Sequence, residues 1–364
     1  MVYYAVTTPF VLIGEAWGEQ EARFASPFLG PAGQELSRML SQAGFGNELL
    51  PYNFTSAARM MYYWDKCKFP LLNVFDARPE GNNVELFFAP ADDPAADRRF
   101  PVRRFGTSNY YVCKSMSHHV SALHAKLADL KPNVIIALGN TALWALGLPA
   151  TIGKLRGNIV ESKHGKVIPT YHPANILRNW ANRTISVLDL NKARRESAYP
   201  DIRVPSRIIW TEPTIEDLYT WWDQHGKTCS LLAFDIETVR KTQVAEIGIA
   251  SSPHMALHIP FVYRDDGQYI SYWPDLETEA AAWDFVRMVC ESPVPKIGQN
   301  VVQYDAYFMA KALGIPVLNI QHDTMTLAHA WQPELQKSLG FLGSLFLTER
   351  EWKSIRINTD KGDD

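Results

Sequence analysis

Thr170-Tyr171-His172-Pro173-Ala174-Asn175-Ile176-Leu177-Arg178 follows the apolar run Lys166 to Thr170, and together they read as a strand, a tight turn and a short helix. Proline suits the first helical position, where its missing N–H would have had no partner, so His172 stands at a strand end just before a helix. An earlier stretch, Val11-Leu12-Ile13-Gly14-Glu15-Ala16-Trp17-Gly18, puts an acid at the mouth of another apolar strand. An imidazole and a carboxylate on two strand ends can face each other across one crevice. Such a pair suits a reaction in which negative charge develops on a leaving group while water attacks from the other side.

Between and around these stretches, strands alternate with helices. Phe10 to Gly14 reads as a buried strand and Pro31 to Ala43 as a helix, with Leu36, Met39, Leu40 and Ala43 at helical spacing and Gly44 as its stop. Leu71 to Phe75 is a second strand, Ser115 to Leu130 a helix, Asn133 to Leu138 a third strand and Lys166 to Thr170 a fourth. Residues 76–112, with the basic cluster Arg98, Arg99, Arg103 and Arg104, read as a long loop. This order predicts a parallel-rich α/β sheet whose site lies at the carboxyl ends of its strands, where Glu15, Asn73 and His172 all fall.

The segment 194–205, with Pro200 and Pro205 among charges, reads as a linker, and the pattern then restarts. Strands are expected near 208–210, 230–235, 244–250 and 256–260. Helices are expected at 214–225, 277–291, 302–313, 324–331 and 337–347, the mark of an α+β-like second domain. At 364 residues the chain is long enough for two cores. No run is long and apolar enough for a membrane span, and the first residues lack a signal peptide's pattern, so a cytoplasmic location is expected. Four cysteines without CxxC spacing argue for reduced thiols. Residues 1–200 hold 22 Lys and Arg against 16 Asp and Glu, whereas 201–364 hold 14 against 23. A basic front half fits a polyanionic partner, and an acidic back half fits carboxylates that metal ions neutralise.

Four blocks carry a resemblance. Gly14-Glu15-Ala16-Trp17-Gly18-Glu19-Gln20-Glu21, Ser26-Pro27-Phe28-Leu29-Gly30-Pro31-Ala32-Gly33, Leu72-Asn73-Val74-Phe75 with Arg78-Pro79-Glu80-Gly81-Asn82, and Lys154-Leu155-Arg156-Gly157 with His172-Pro173-Ala174 resemble, in order, the uracil-DNA glycosylase superfamily, most closely its family 4. The resemblance implies a three-layer sandwich over residues 1–198 that excises uracil from DNA. A base must leave the stack to be reached, and Phe28 holds the stacking position. Asn73 holds the base-reading position, where an amide offers the donor and acceptor that uracil's O4 and N3–H require. His172 would stabilise the departing base, and Glu15 or Glu21 the sugar cation or the attacking water. Lys154, Arg156 and Arg178 would contact DNA.

Three features depart from the family's pattern. Trp17 replaces a proline beside the pocket, as a lining residue or an obstruction. The family's iron–sulfur cysteines are missing, so no cluster is expected. Residues 47–70, with Tyr52, Tyr62, Tyr63 and Trp64, read as an insertion whose aromatics would stack bases or form a packed cap. Within it, Asn53 rivals Asn73 for the amide role.

Two further blocks, Ala233-Phe234-Asp235-Ile236-Glu237-Thr238 and Gly298-Gln299-Asn300-Val301-Val302-Gln303-Tyr304-Asp305, resemble the first two motifs of DEDD-type 3′–5′ exonucleases. The run from His322 to Leu342 is similar to the proofreading domains of phage-type family A DNA polymerases. A ribonuclease H-like α/β domain over residues 207–364 is implied, joined through a linker at 199–206. Asp235 and Glu237, two apart on a strand, would share a Mg²⁺ or Mn²⁺ ion that Asp305 helps to hold, and Asp323 reads as a helix cap. In such nucleases two ions roughly 3.5–4 Å apart activate water and stabilise the leaving oxygen. The third motif, Tyr-x-x-x-Asp, is not found before Asp364. The expectation is a fragment, or a polymerase carried on a separate polypeptide. The alternative to a two-domain DNA enzyme is an inactive DNA-binding or docking subunit of a replisome.

Overall fold

The computed structural model describes residues 9–45, 56–104, 107–148, 151–266 and 268–348. Its chain divides after Val204 into two compact units, with a stretch from Gly343 grouped with the first. Tyr52, Asn53 and Asp364, named above, lie outside the described residues.

In the first unit four strands run parallel in the spatial order Leu71–Phe75, Phe10–Ala16, Val134–Leu138, Gly165–Thr170, and Val160–Ser162 closes the edge antiparallel. The continuous apolar runs of these strands follow from burial on both faces. Leu12, Ile136 and Ile168 point to one side, where the helices Pro31–Gln42 and Asn182–Glu196 supply Leu36, Met39, Leu40 and Leu190. Val11, Ile13, Ile135 and Val167 point to the other, against Val120, Leu123 and Leu127 of the helix Ser117–Leu130. The result is the expected three-layer sandwich.

The segment 76–112 is not a loop. After two short 3₁₀ turns it forms a three-stranded antiparallel sheet of Phe88–Pro90, Ala96–Arg104 and Thr107–Cys113. Val102 and Val112 join the core on the far side of the main sheet. Register shifts beside Pro101 and Arg104 break the two-residue alternation that would have revealed the strands. The insertion before Asn73 holds the helix Ala57–Cys67, whose Tyr63 and Trp64 are buried in the core while Tyr62 is 69% exposed. A packed cap is therefore the role of its two described inner aromatics.

Arg156 corrects the expectation of a DNA contact. It is 3% exposed, and its Nε and Nη2 donate to Asp189 Oδ2 and Oδ1 at 3.1 and 2.6 Å. Thr170 Oγ1 donates to the same carboxylate at 2.9 Å, so this bidentate pair ties the final strand of the parallel set to the helix Asn182–Glu196. Lys154 stays exposed on the short helix Ile152–Leu155.

The second unit holds a six-stranded sheet in the order Ile320–Asp323, Lys296–Gly298, Leu232–Val239, Gln243–Ser252, Met255–Pro260, Ile208–Trp210. Three antiparallel strands from Leu232 to Pro260 continue into two strands parallel to the first of them. This arrangement is the ribonuclease H-like one. The short strands Lys296–Gly298 and Ile320–Asp323, and a hairpin of Val262–Asp265 with Gln268–Ser271, were not expected from the sequence. Leu232, Phe234 and Ile236 bury one face of the central strand against the helices Ile215–Trp221 and Leu276–Glu291, which leaves Ala233, Asp235 and Glu237 on the other. Among the described residues no helix is long and apolar enough to cross a membrane, and Cys67, Cys113, Cys229 and Cys290 are free thiols.

Removing one partner of a buried ion pair leaves a charge without compensation, at a cost of about 3–5 kcal/mol. Arg156→Ala should therefore lower unfolding stability in urea by about that much. A change below roughly 1 kcal/mol, the size typical of a surface pair, would show that the pair does not hold the sheet.

Candidate active site

Glu15, Trp17, Glu21, Phe28, Asn73, His172 and Arg178 line one cavity of about 480 Å³ at the carboxyl ends of the parallel strands. Register explains part of the convergence. Gly14 pairs with Asn73 across the first two strands, so the Asn73 amide occupies the space a side chain at position 14 would fill, next to the strand end that carries Glu15. Gly14 also has to be glycine, because a Cβ there would lie 2.5 Å from both Asn73 Oδ1 and Phe28 Cζ. Asn73 is itself buried.

Phe28 adopts a left-handed backbone with φ of +57°, which costs a residue with a Cβ about 1–2 kcal/mol. Three hydrogen bonds offset that strain. Glu21 Oε1 accepts from the backbone N–H of Leu29 and of Gly30, both at 2.8 Å, and Trp64 Nε1 donates to Phe28 O at 2.9 Å. Gly33 lets the following helix start close by, since a Cβ there would fall 1.8 Å from Phe28 O. The ring of Phe28 faces the His172 imidazole with centroids 6.1 Å apart and planes 29° apart.

His172 caps the helix Pro173–Arg178. Its Nδ1 accepts from the backbone N–H of Ala174 at 3.2 Å, which leaves Nε2 as the protonated nitrogen of a neutral ring. Burial and the nearby Arg178 guanidinium push its pKa down to about 4. Gly139 packs behind it at φ of +83°, where a Cβ would lie 3.1 Å from His172 Cβ.

The two acids differ. Glu21 is occupied with the Phe28 loop. Glu15 Oε2 accepts from Thr141 Oγ1 at 2.6 Å, and burial raises its pKa against the lowering effects of Thr141 and Arg178. Glu21 thus holds the Phe28 loop through two backbone amides on one oxygen, whereas the hydrogen bond on Glu15 comes from a side chain. Trp17 forms part of the wall. Its N–H donates to Ala77 O at 3.1 Å, and its indole Nε1 is buried without a partner among the described residues. Sequence reasoning missed Thr141, a lone threonine on the helix Gly139–Ala145, which carries no motif to mark it.

In the second unit Asp235 and Glu237 share the open face of the central strand, and Asp305 starts the helix Asp305–Leu313 beside it. Asp305 is buried, and its Oδ1 accepts from Ile236 N at 2.9 Å. Burial, with Asp235 and Asp323 adding to it, raises its pKa to about 6. Asp323 caps the helix Thr324–Trp331 by accepting from Met325 N and Thr326 N, and also accepts from Asn300 N. Asp235, Glu237 and Asp305 are the residues that would hold a divalent ion, and among the described residues no three His, Cys, Asp or Glu side chains are gathered closely enough to form a ready-made cage. Asp305 gives one oxygen, Oδ1, to the backbone of the strand that carries Asp235 and Glu237, and so stays next to that strand.

The profile of the uracil DNA glycosylase superfamily matches residues 1–203. A type-4 uracil-DNA glycosylase of Thermotoga maritima is 31% identical over 192 residues, covering 51% of this chain and 77% of that protein. Crystal structures of the EXD2 exonuclease domain, soaked in Mg and GMP or in Mg and dGMP, share 13% and 14% identity. They cover 42% of this chain and 75% and 79% of theirs, with a TM-score of 0.25 in both cases, too distant in shape to bear on function. Over its first 203 residues, where Glu15, Phe28, Asn73 and His172 meet in one cavity, the chain belongs to the uracil-DNA glycosylase superfamily.

Proposed function

We propose that the domain of residues 1–198 hydrolyses the N-glycosidic bond of uracil in DNA, and that a linker at 199–206 joins it to a nuclease-type domain over 207–364. The observation that carries the first half is the convergence of one acid, one amide, one aromatic ring and one neutral imidazole in a single cavity. A flipped uracil would stack on Phe28 and pair with the Asn73 amide. As the bond to C1′ breaks, negative charge gathers on the base, and the Nε2–H of His172 donates to it. A neutral donor suits this task, because it offers a hydrogen bond without needing acid to charge it. Glu15 stabilises the sugar cation and orients the water whose hydroxyl adds to C1′, while the remaining proton ends on the released base. Arg178, exposed at the rim, is placed to meet a phosphate.

The nuclease half rests on the ribonuclease H-like sheet and on the shared face of Asp235 and Glu237. The class of reaction these carboxylates support is phosphodiester hydrolysis from a 3′ end. Mg²⁺ or Mn²⁺ is the cofactor this half proposes, and a primer-template 3′ end its substrate.

Single-stranded DNA with one uracil, cleaved by alkali after incubation, tests the first half. The purified protein should leave an abasic site, and His172→Ala should slow its formation by about 100-fold or more. A wild-type protein that leaves none would overturn the reading. A 3′-labelled oligonucleotide with Mg²⁺ or Mn²⁺ tests the second: digestion lost in Asp235→Ala supports it, and digestion retained in full refutes it. Tight, salt-sensitive DNA binding without turnover on either substrate would replace both halves with a docking role.

The His172 ring also predicts a pH dependence. Its pKa is about 4 in the folded protein against 6.5 unperturbed, so the unfolded chain takes up a proton that the folded one refuses. The stability it contributes is complete above pH 6.5 and is lost as the pH falls through 4. Thermal unfolding over this window should show wild type losing more stability than His172→Gln. Parallel curves would refute the assignment.

A further inference from the structure

We propose that Thr141 is a positioning residue of the glycosylase site, acting through Glu15 by holding one carboxylate oxygen so that the other faces the reacting sugar. The inference rests on the uracil-excision reading and adds to it a group outside all four sequence blocks. Thr141 is 4% exposed, and its Oγ1 donates to Glu15 Oε2 at 2.6 Å, across 126 residues of sequence. A threonine hydroxyl has one proton to give, and here the carboxylate takes it. Glu15 Oε1 receives no hydrogen bond from the described residues.

The turn that carries Thr141 is itself anchored. Asn140 Oδ1 accepts from Ile152 N at 2.7 Å, which fixes the start of the helix Gly139–Ala145. Two residues before Thr141, Gly139 packs against His172. One short turn after the third parallel strand therefore touches both groups proposed to act on the substrate. A hydroxyl on so anchored a support, with its bond to Glu15 selecting the χ1 rotamer, holds its partner closely.

The titratable groups that share the cavity with Glu15 are Glu19, Glu21, His172 and Arg178. Of the effects acting on Glu15, burial favours the protonated acid, while the Thr141 hydroxyl and the Arg178 charge favour the carboxylate. Taking away the hydroxyl leaves burial less opposed. The carboxylate should then protonate at a higher pH.

The substitution that isolates this effect is Thr141→Val, which keeps the shape and removes the hydroxyl. The acidic limb of kcat/KM for uracil release should move up by about one pH unit. Thr141→Ser should return it to the wild-type position. A merely structural threonine would lower the rate at every pH and leave the limb where it was, and that result would overturn the proposal. Carboxyl ¹³C resonances of Glu-labelled protein give a reading independent of turnover, with Glu15 assigned by its loss in Glu15→Gln. A Glu15 midpoint that rises in Thr141→Val supports the hydrogen bond's role, and an unmoved midpoint overturns it. If wild type releases no uracil, the proposed function fails alone, because the carboxyl titration still decides the part played by Thr141.

Discussion

Two backbone amides converge on one oxygen of Glu21, and the cavity of the first unit depends on that capture. The amides of Leu29 and Gly30 would otherwise be buried donors without partners, at a cost of about 1–3 kcal/mol each. A buried carboxylate would be costlier still without them. Each defect removes the other, and the loop between the helices Glu19–Phe24 and Pro31–Gln42 is held against the sheet as a result. Phe28 can then keep a left-handed backbone that its own Cβ disfavours, and its ring comes to rest beside His172. Gly14 and Gly33 contribute by having no side chain where one would collide with this loop or with Asn73.

The same convergence explains what could be read from sequence. Glu15, Asn73 and His172 were legible as neighbours because each follows an apolar run, and parallel strands of similar length end at one edge. Phe28 and Glu21 were legible only through their blocks, and the block could not say which acid reacts. What distinguishes the two acids is a set of tertiary hydrogen bonds to Leu29, Gly30 and Thr141, which no local pattern encodes. Arg156 shows the reverse failure. It sits in a block that suggested DNA, yet its partner Asp189 lies 33 residues away on a helix whose inward face no short motif reveals. The sheet between Phe88 and Cys113 was hidden by prolines and register shifts, which interrupt alternation just where it would have been counted.

The second unit was legible to a different depth. Its longer strands and helices follow from their periodicity, and the order of the sheet agrees with the resemblance. The acids behave otherwise. Asp323 serves its own helix and the Asn300 turn, and one oxygen of Asp305 answers the backbone of the central strand, so both carboxylates also take part in holding the fold. A motif identifies which side chains share a neighbourhood. How many of their lone pairs remain available is a matter of backbone geometry.

Arg178 stands at the mouth of the first cavity and acts on two groups in it. Its positive charge disfavours protons on both groups, opposing the effect of burial on Glu15 and adding to it on His172. Because the guanidinium is exposed, any anion that settles on it weakens both influences at once. Ionic docking at the rim and the proton inventory inside are thus a single variable: a strand of nucleic acid that neutralises this arginine also resets the chemistry it has come to meet.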